Sequence, residues 1–159
     1  NQTEHPVAIR VPMTPLESTG VKDTTDYSKL NKFKLVEKGE KVAILGLGNF
    51  FNLGKEVKKA LKEKLGFNAT LINPVFMTGV DEELLDKLKK DHKIVITLED
   101  GILDGGFGEK VARYFGNSDM KVLNFGGKKE FTDRTSMEEL YNRYHLTSEL
   151  IVKDIEKVF

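Results

Sequence analysis

Three short runs with little polar alternation, Val42-Ala43-Ile44-Leu45, Ala69-Thr70-Leu71-Ile72 and Ile94-Val95-Ile96-Thr97-Leu98, are separated by stretches whose apolar residues recur every three or four positions. A strand that is apolar on both sides has to be covered on both faces, and parallel strands need helical crossovers that supply the cover. The alternation therefore predicts a three-layer α/β/α domain around a mostly parallel sheet.

The helical segments can be placed by their apolar spacing. Leu53, Val57, Ala60, Leu61 and Leu65 share one face, with lysines and glutamates between them and Gly66 as a stop. Asp81 stands where a cap would open a helix carrying Leu84, Leu85 and Leu88. Val111, Ala112 and Phe115 mark another helix, and Met120-Lys121-Val122-Leu123 a last strand. Thr135-Ser136-Met137-Glu138-Glu139 offers a capping box ahead of Leu140 and Tyr144, and a final helix runs on Leu150, Ile151, Ile155 and Val158. Upstream, Lys34-Leu35-Val36 reads as a strand joined to Lys41–Leu45 by the turn around Gly39. The first strand-like run, Pro6-Val7-Ala8-Ile9-Arg10-Val11, is closed by Pro12 and followed by a Pro, Gly, Thr and Asp-rich stretch with the character of a linker. One strand cannot form a sheet alone, so it either joins the following sheet or ends a preceding domain; the second is expected.

Composition narrows the function. Twenty-five lysines and arginines balance 25 aspartates and glutamates, which leaves no net field for nucleic acid or an anionic membrane, so neither is an expected partner. The absence of cysteine removes disulfides, thiolate metal sites and cysteine nucleophiles. No apolar run approaches the roughly 18 residues of a membrane span, and the polar start Asn1-Gln2-Thr3-Glu4 is unlike a signal peptide, so a cytoplasmic protein is expected.

Few motifs carry chemistry. Gly46-Leu47-Gly48 lies between strand and helix, but a dinucleotide fingerprint would need glycine where Phe51 stands and an acidic residue near Ile72-Asn73. A tight strand-to-helix turn is the simpler account, and the adjacent Phe50 and Phe51 suggest a face turned to another subunit or domain. Glu99-Asp100-Gly101, running on to Gly105-Gly106-Phe107-Gly108, sits at the carboxyl end of a central strand, where α/β folds place ligands. Two adjacent carboxylates can do acid-base work; equally, Asp100 and Asp104 can hydrogen-bond their own loop while the glycines admit the next helix closely. His5, His92 and His145 lack metal-ligand spacing, so no metal site is expected, and His92 in Lys89-Lys90-Asp91-His92-Lys93 reads as a solvated helix end. No serine lies in a G-x-S-x-G elbow.

Together these pieces resemble one family over nearly the whole chain. Pro6-Val7-Ala8-Ile9-Arg10-Val11-Pro12 resembles the end of the pyrimidine-binding domain of 1-deoxy-D-xylulose-5-phosphate synthases, and the chain from Lys41 resembles their transketolase C-terminal domain. The supporting blocks are Val42–Gly48, Asn73-Pro74 with Phe76, Asp81-Glu82-Glu83-Leu84, and Thr97–Asp100 with Gly105–Gly108. The beta subunits of 2-oxoacid dehydrogenases share that domain.

The resemblance implies a five-stranded mixed sheet whose first strand runs antiparallel. It divides the chain into residues 1–12, the last strand of a truncated pyrimidine-binding domain, a linker over 13–32, and a transketolase C-terminal domain over 33–159. It implies a homodimer, with thiamine diphosphate and magnesium held in the complete enzyme by N-terminal pyrophosphate- and pyrimidine-binding domains that this chain lacks. The family's magnesium motif is Gly-Asp-Gly; here Glu99-Asp100-Gly101 is the lookalike, in the wrong domain. No catalytic, cofactor or metal residue is therefore expected in this chain, and the isolated chain is expected to be inactive. Arg10 matches the arginine that helps hold the substrate phosphate, a task suited to the guanidinium fork, with a strand-end surface charge as the plain alternative. Met13 and Val75 stand where the family has further arginines. A non-catalytic assembly or regulatory module on the same fold is the reading from a different class.

Overall fold

A computed structural model describes residues 6–8 and 26–159 of the chain. Strands β1 (Lys34–Glu37), β2 (Lys41–Gly46), β3 (Thr70–Asn73), β4 (His92–Ile102) and β5 (Lys121–Gly127) form one sheet. Helices α1 (Phe50–Leu65), α2 (Glu82–Asp91), α3 (Phe107–Phe115), α4 (Met137–Arg143) and α5 (Ser148–Glu156) complete the domain. The strand order is β1-β3-β2-β4-β5, with β1 antiparallel to β3 and every other pairing parallel. The expected α/β architecture with a five-stranded, mostly parallel mixed sheet is the observed one.

Alternate residues of each central strand feed opposite cores, as the two-residue strand period requires. Val42, Ile44, Leu71, Ile94 and Ile96 face Val57 and Leu61 of α1 and Ile151, Val152 and Ile155 of α5. Ala43, Leu45, Ile72 and Val95 face Leu85 and Leu88 of α2 and Phe107, Val111 and Phe115 of α3. Both layers are closed by full-sized side chains, so cutting Leu61, which has no exposed surface, to alanine costs about 2–5 kcal/mol.

Element ends follow local chemistry. Gly66 stops α1 in the left-handed conformation (φ 74°), its N–H donating to the Lys62 carbonyl, while Lys62 and Lys64 sit at the negative end of the helix dipole. Asp81 caps α2, one oxygen accepting from the Leu84 N–H at 3.3 Å and the other from the Phe33 N–H at 3.0 Å. That second bond ties the entry to β1 onto the start of α2.

Three local expectations change. β5 continues past Leu123 in unbroken pairing, Asn124 opposite Thr97 and Phe125 opposite Leu98, and both strands run on because pairing resumes beyond a register shift, with Ile102 opposite Gly127. α1 begins at Phe50, and Phe50 is buried against Tyr141 with ring centroids 6.3 Å apart, so it serves this domain's own core and leaves the outward face to other residues. His92 is not a solvated helix end: it opens β4, is 5% exposed, and packs under α2. Of the first strand-like run, Pro6, Val7 and Ala8 are exposed and in no regular element, while the remainder, with Arg10, lies outside the described residues.

Candidate functional site at the carboxyl edge of the sheet

The carboxyl ends of β4 and β5 and the start of α1 meet α4 around a groove of about 320 Å³, walled by Phe50, Asp100, Ile102, Lys128, Tyr141 and Tyr144. Parallel α/β sheets place ligands at this end because the crossover loops diverge there. The turn after β2 is fixed by the Leu47 N–H, which donates to the Leu98 carbonyl at 2.9 Å, and Gly48 adopts a left-handed φ of 57° that a side chain would resist. This geometry is a strand-to-helix turn, the simpler account given by the sequence.

Glu99 and Asp100 are adjacent in sequence and part company in space. Glu99 is 3% exposed, and its two oxygens accept from the N–H groups of Phe107 and Gly108, each at 2.8 Å. The carboxylate thus closes the positive end of α3 from a neighbouring strand, satisfying two amides that a helix start leaves without partners. Asp100 is exposed and accepts from the Asn49 side-chain amide at 3.3 Å. The two carboxylates serve different partners, so the structural alternative holds for Glu99, which binds the start of α3.

The glycines behave as the close-approach account requires. A Cβ at Gly106 would stand 2.6 Å from a Glu99 oxygen, and one at Gly108 would stand 2.6 Å from the Thr97 hydroxyl. The Thr97 hydroxyl donates to the Asn124 side-chain oxygen at 2.8 Å, which joins β4 to β5 beneath α3.

The far wall of the groove is polar. Tyr144 donates its hydroxyl to Glu130 at 2.6 Å, and Arg143 approaches the same carboxylate at 3.7 Å. The Tyr144 bond holds the Glu130 carboxyl below the usual carboxylate range and raises the Tyr144 phenol. Ile102 and Met137, which line the groove, remain exposed, as does Phe131 outside its lining.

At the end of β3, Val75 has a φ of 63°, unusual for a β-branched residue, and its N–H donates to the Asn73 side-chain oxygen at 3.0 Å. Phe76 packs edge-on against Tyr27, and Thr78 donates its hydroxyl to Asn31 at 2.6 Å, so the segment before β1 lies against this loop. Arg10 and Met13, the sequence candidates for this edge, lie outside the described residues.

The described residues do not fit thiamine diphosphate with magnesium. Among the described residues no group of three or more His, Asp or Glu side chains is placed to hold a metal ion, and Glu99 in the Gly-Asp-Gly lookalike is committed to α3. Sequence reasoning missed two polar constellations: Glu99 under α3, and His92 hydrogen-bonded to Thr70 at 2.8 Å. Each joins separate elements, so spacing along the chain carried no signal for either.

Comparison with known proteins agrees with this architecture. Residues 31–151 match the family described as transketolase, C-terminal domain. The chain is 34% identical over 157 residues to a 1-deoxy-D-xylulose-5-phosphate synthase of Clostridium tetani, a match that covers 98% of this chain and 25% of that protein. The corresponding synthase of Clostridium beijerinckii is 33% identical over 159 residues, covering 97% of this chain and 25% of its own length. A solved split gene transketolase, described as an inactive β4 tetramer, superposes with a TM-score of 0.71 at 25% identity, over 87% of this chain and 46% of that one. The chain spans about a quarter of the length of the curated relatives it matches.

Proposed function

The chain belongs to the transketolase C-terminal domain family, and from that premise we propose that it is the C-terminal section of a thiamine-diphosphate-dependent transferase of the 1-deoxy-D-xylulose-5-phosphate synthase kind. In the whole enzyme it supports a homodimer and borders the substrate entrance. The observation that carries this is the span of the match: nearly all of this chain is similar to a quarter of a synthase. In this reading residues 33–159 are the C-terminal domain, 13–32 a linker and 1–12 the end of a pyrimidine-binding domain. The cofactor and its magnesium belong to the missing N-terminal domains, consistent with Glu99 being used to hold a helix. The likeness to a split gene transketolase supports a form in which such a section is a separate chain.

Ile102, Phe131 and Met137, exposed at this edge of the domain, offer apolar side chains to the dimer, in place of the buried Phe50. Arg10 would hold the substrate phosphate. Val75 and Met13, which remove two positive charges relative to the resemblance, would make the entrance less polar and shift the acceptor away from glyceraldehyde 3-phosphate.

The test is reconstitution. The chain alone yields no 1-deoxy-D-xylulose 5-phosphate from a 2-oxoacid donor and glyceraldehyde 3-phosphate and shows no micromolar heat of binding for thiamine diphosphate with magnesium; joined to the cofactor-binding domains it supports turnover. Micromolar cofactor binding by the chain alone, or a strictly monomeric sedimentation profile of the complete protein, contradicts the proposal.

A further inference from the structure

At the opposite end of the sheet, where β3 and β4 begin, a second cavity of about 280 Å³ opens between β1 and α2. It is separated from the carboxyl-edge groove by the length of β4 from His92 to Glu99, roughly 23 Å at about 3.3 Å per residue. Nothing in the proposed enzymatic role uses it.

The walls are aliphatic. Leu84 and Leu88 stand one helical turn apart on α2, and Leu35 overhangs from β1 with 45% of its surface exposed. The floor is formed by Thr70 and His92, which are 1% and 5% exposed. Their hydrogen bonds have only one consistent direction in the neutral imidazole. The Leu88 carbonyl can only accept, so His92 Nδ1 carries the proton and donates to it at 3.1 Å. His92 Nε2 therefore accepts the Thr70 hydroxyl at 2.8 Å, and the same hydroxyl oxygen accepts the Gly39 N–H at 2.8 Å. Burial pushes the His92 pKa below its ordinary value, in keeping with an uncharged ring. The floor thus has its donors spent internally and presents no charge, which suits an apolar occupant.

The rim is cationic. Lys38, Lys87 and Lys90 surround the mouth, with Asp91 as the opposing charge. Lys87 is taken by Glu83 at 2.8 Å. Among the described residues Lys38 and Lys90 form no ion pair, although most lysines around α2 are paired: Lys32 with Asp81 and Glu83, and Lys89 with Asp86.

We propose that this cavity binds a small amphipathic anion, its hydrocarbon body between Leu35, Leu84 and Leu88 and its carboxylate at Lys38 and Lys90. The volume falls just below the roughly 300–1,000 Å³ of ordinary ligand pockets, which limits the occupant to one short acyl chain or a single small ring system. A neutral floor with a charged rim orients the ligand tail first. It also separates this chemistry from that of a phosphorylated sugar, which has no hydrocarbon body to bury.

Titration of the 159-residue chain with octanoate, followed by amide chemical shifts, tests the assignment. Saturable shifts are expected at residues 35, 38, 70 and 84–92, with octanol binding about ten- to a hundredfold more weakly for want of the charge-assisted contacts, and octylamine more weakly still. The surface variant Lys38→Ala/Lys90→Ala brings octanoate down to the affinity of octanol and leaves octanol unchanged. Leu84→Trp, which fills the cavity, removes both. Equal binding of octanoate and octanol, insensitivity to the lysine variant, shifts confined to the carboxyl-edge groove, or no saturable shift at all would each overturn the proposal. Because the readout is binding to this chain alone, its failure leaves the transferase assignment untouched.

Discussion

Replacing Glu99 by glutamine separates the structural account of the Glu99-Asp100 pair from the chemical one. In the native domain both carboxylate oxygens accept from α3, from the Phe107 and Gly108 N–H groups at 2.8 Å, in a site only 3% exposed. Glutamine keeps one acceptor and turns an NH₂ group toward the other amide, so a buried backbone donor faces a donor. The loss of one hydrogen bond to a charged group is about 1.5–3 kcal/mol. Removing negative charge from the helix start adds about 0.3–1 kcal/mol. Glu99→Gln should therefore destabilise the domain by about 2–4 kcal/mol. At about 2–4 °C per kcal/mol for a domain of this size, Tm falls by roughly 4–16 °C. Urea unfolding with an unchanged m-value measures the free energy, and amide hydrogen exchange locates the loss at Phe107 and Gly108. Asp100→Asn is the internal control. It is exposed and should stay within about 0.5 kcal/mol of the parent. If Glu99→Gln proves as stable as Asp100→Asn, the claim that Glu99 holds α3 is wrong, and its carboxylate is again available for chemistry.

Other perturbations check other parts of the structure. Gly108→Ala puts a methyl group 2.6 Å from the Thr97 hydroxyl and 2.7 Å from Asn124, and should cost about 1–3 kcal/mol in urea unfolding. His92 has a depressed folded pKa, so below its unfolded value of about 6.5 the unfolded chain takes up a proton that the native state refuses. Stability should accordingly fall as pH drops from about 6.5 toward the folded pKa and level off below it; His92→Asn should flatten that slope, and an unchanged slope would remove His92 as its source. If the proposed transferase role holds, Val75→Arg in the complete enzyme should improve use of glyceraldehyde 3-phosphate relative to glyceraldehyde by about ten- to a hundredfold in kcat/KM. A natural enzyme that already strongly prefers the phosphorylated acceptor and is unmoved by the variant would end the idea of a shifted acceptor.

Much of the fold was legible because its signals are local or periodic. The unalternating runs at Val42–Leu45 and Ile94–Leu98 announced strands covered on both faces, and the two opposite cores they feed are that prediction in three dimensions. The spacing of Val57 and Leu61 places α1, but its apolar period is clear only from Leu53, three residues after the helix begins. Phe50 and Phe51 look like surface residues if the helix begins at Leu53, and Phe50 becomes a core residue once α4 brings Tyr141 against it. Residues far apart in sequence decide that contact, and periodicity within one helix contains no information about it. The same limit explains His92, whose run of charged neighbours reads as solvent while its ring is covered by α2 and bonded to Thr70 from another strand.

Helix capping shows where the boundary of legibility falls. Asp81, Ser136 and Thr147 cap α2, α4 and α5 by accepting from the N–H three residues on, a spacing that can be read from the chain. Even there one part of the pattern is misleading. Glu139 occupies the position from which a capping box would reach back, yet its carboxylate binds Arg143 at 2.6 Å, so only the serine half of the box is made. α3 has no such residue before it: its cap position is Gly106, which has no side chain to offer. A glycine is needed there because the Glu99 oxygens already occupy the space that a Cβ would take, and those same oxygens supply the missing cap. The glycine-rich stretch and the buried acid are therefore one device. A carboxylate on a strand can reach the start of the helix only if the helix comes close, and the helix comes close only where side chains are absent. Read separately, Glu99-Asp100 suggests acid-base chemistry and Gly105–Gly108 suggests a ligand loop. Their distances show two halves of a helix-to-sheet clamp, which leaves Asp100 as the acidic member of the pair exposed at the carboxyl edge.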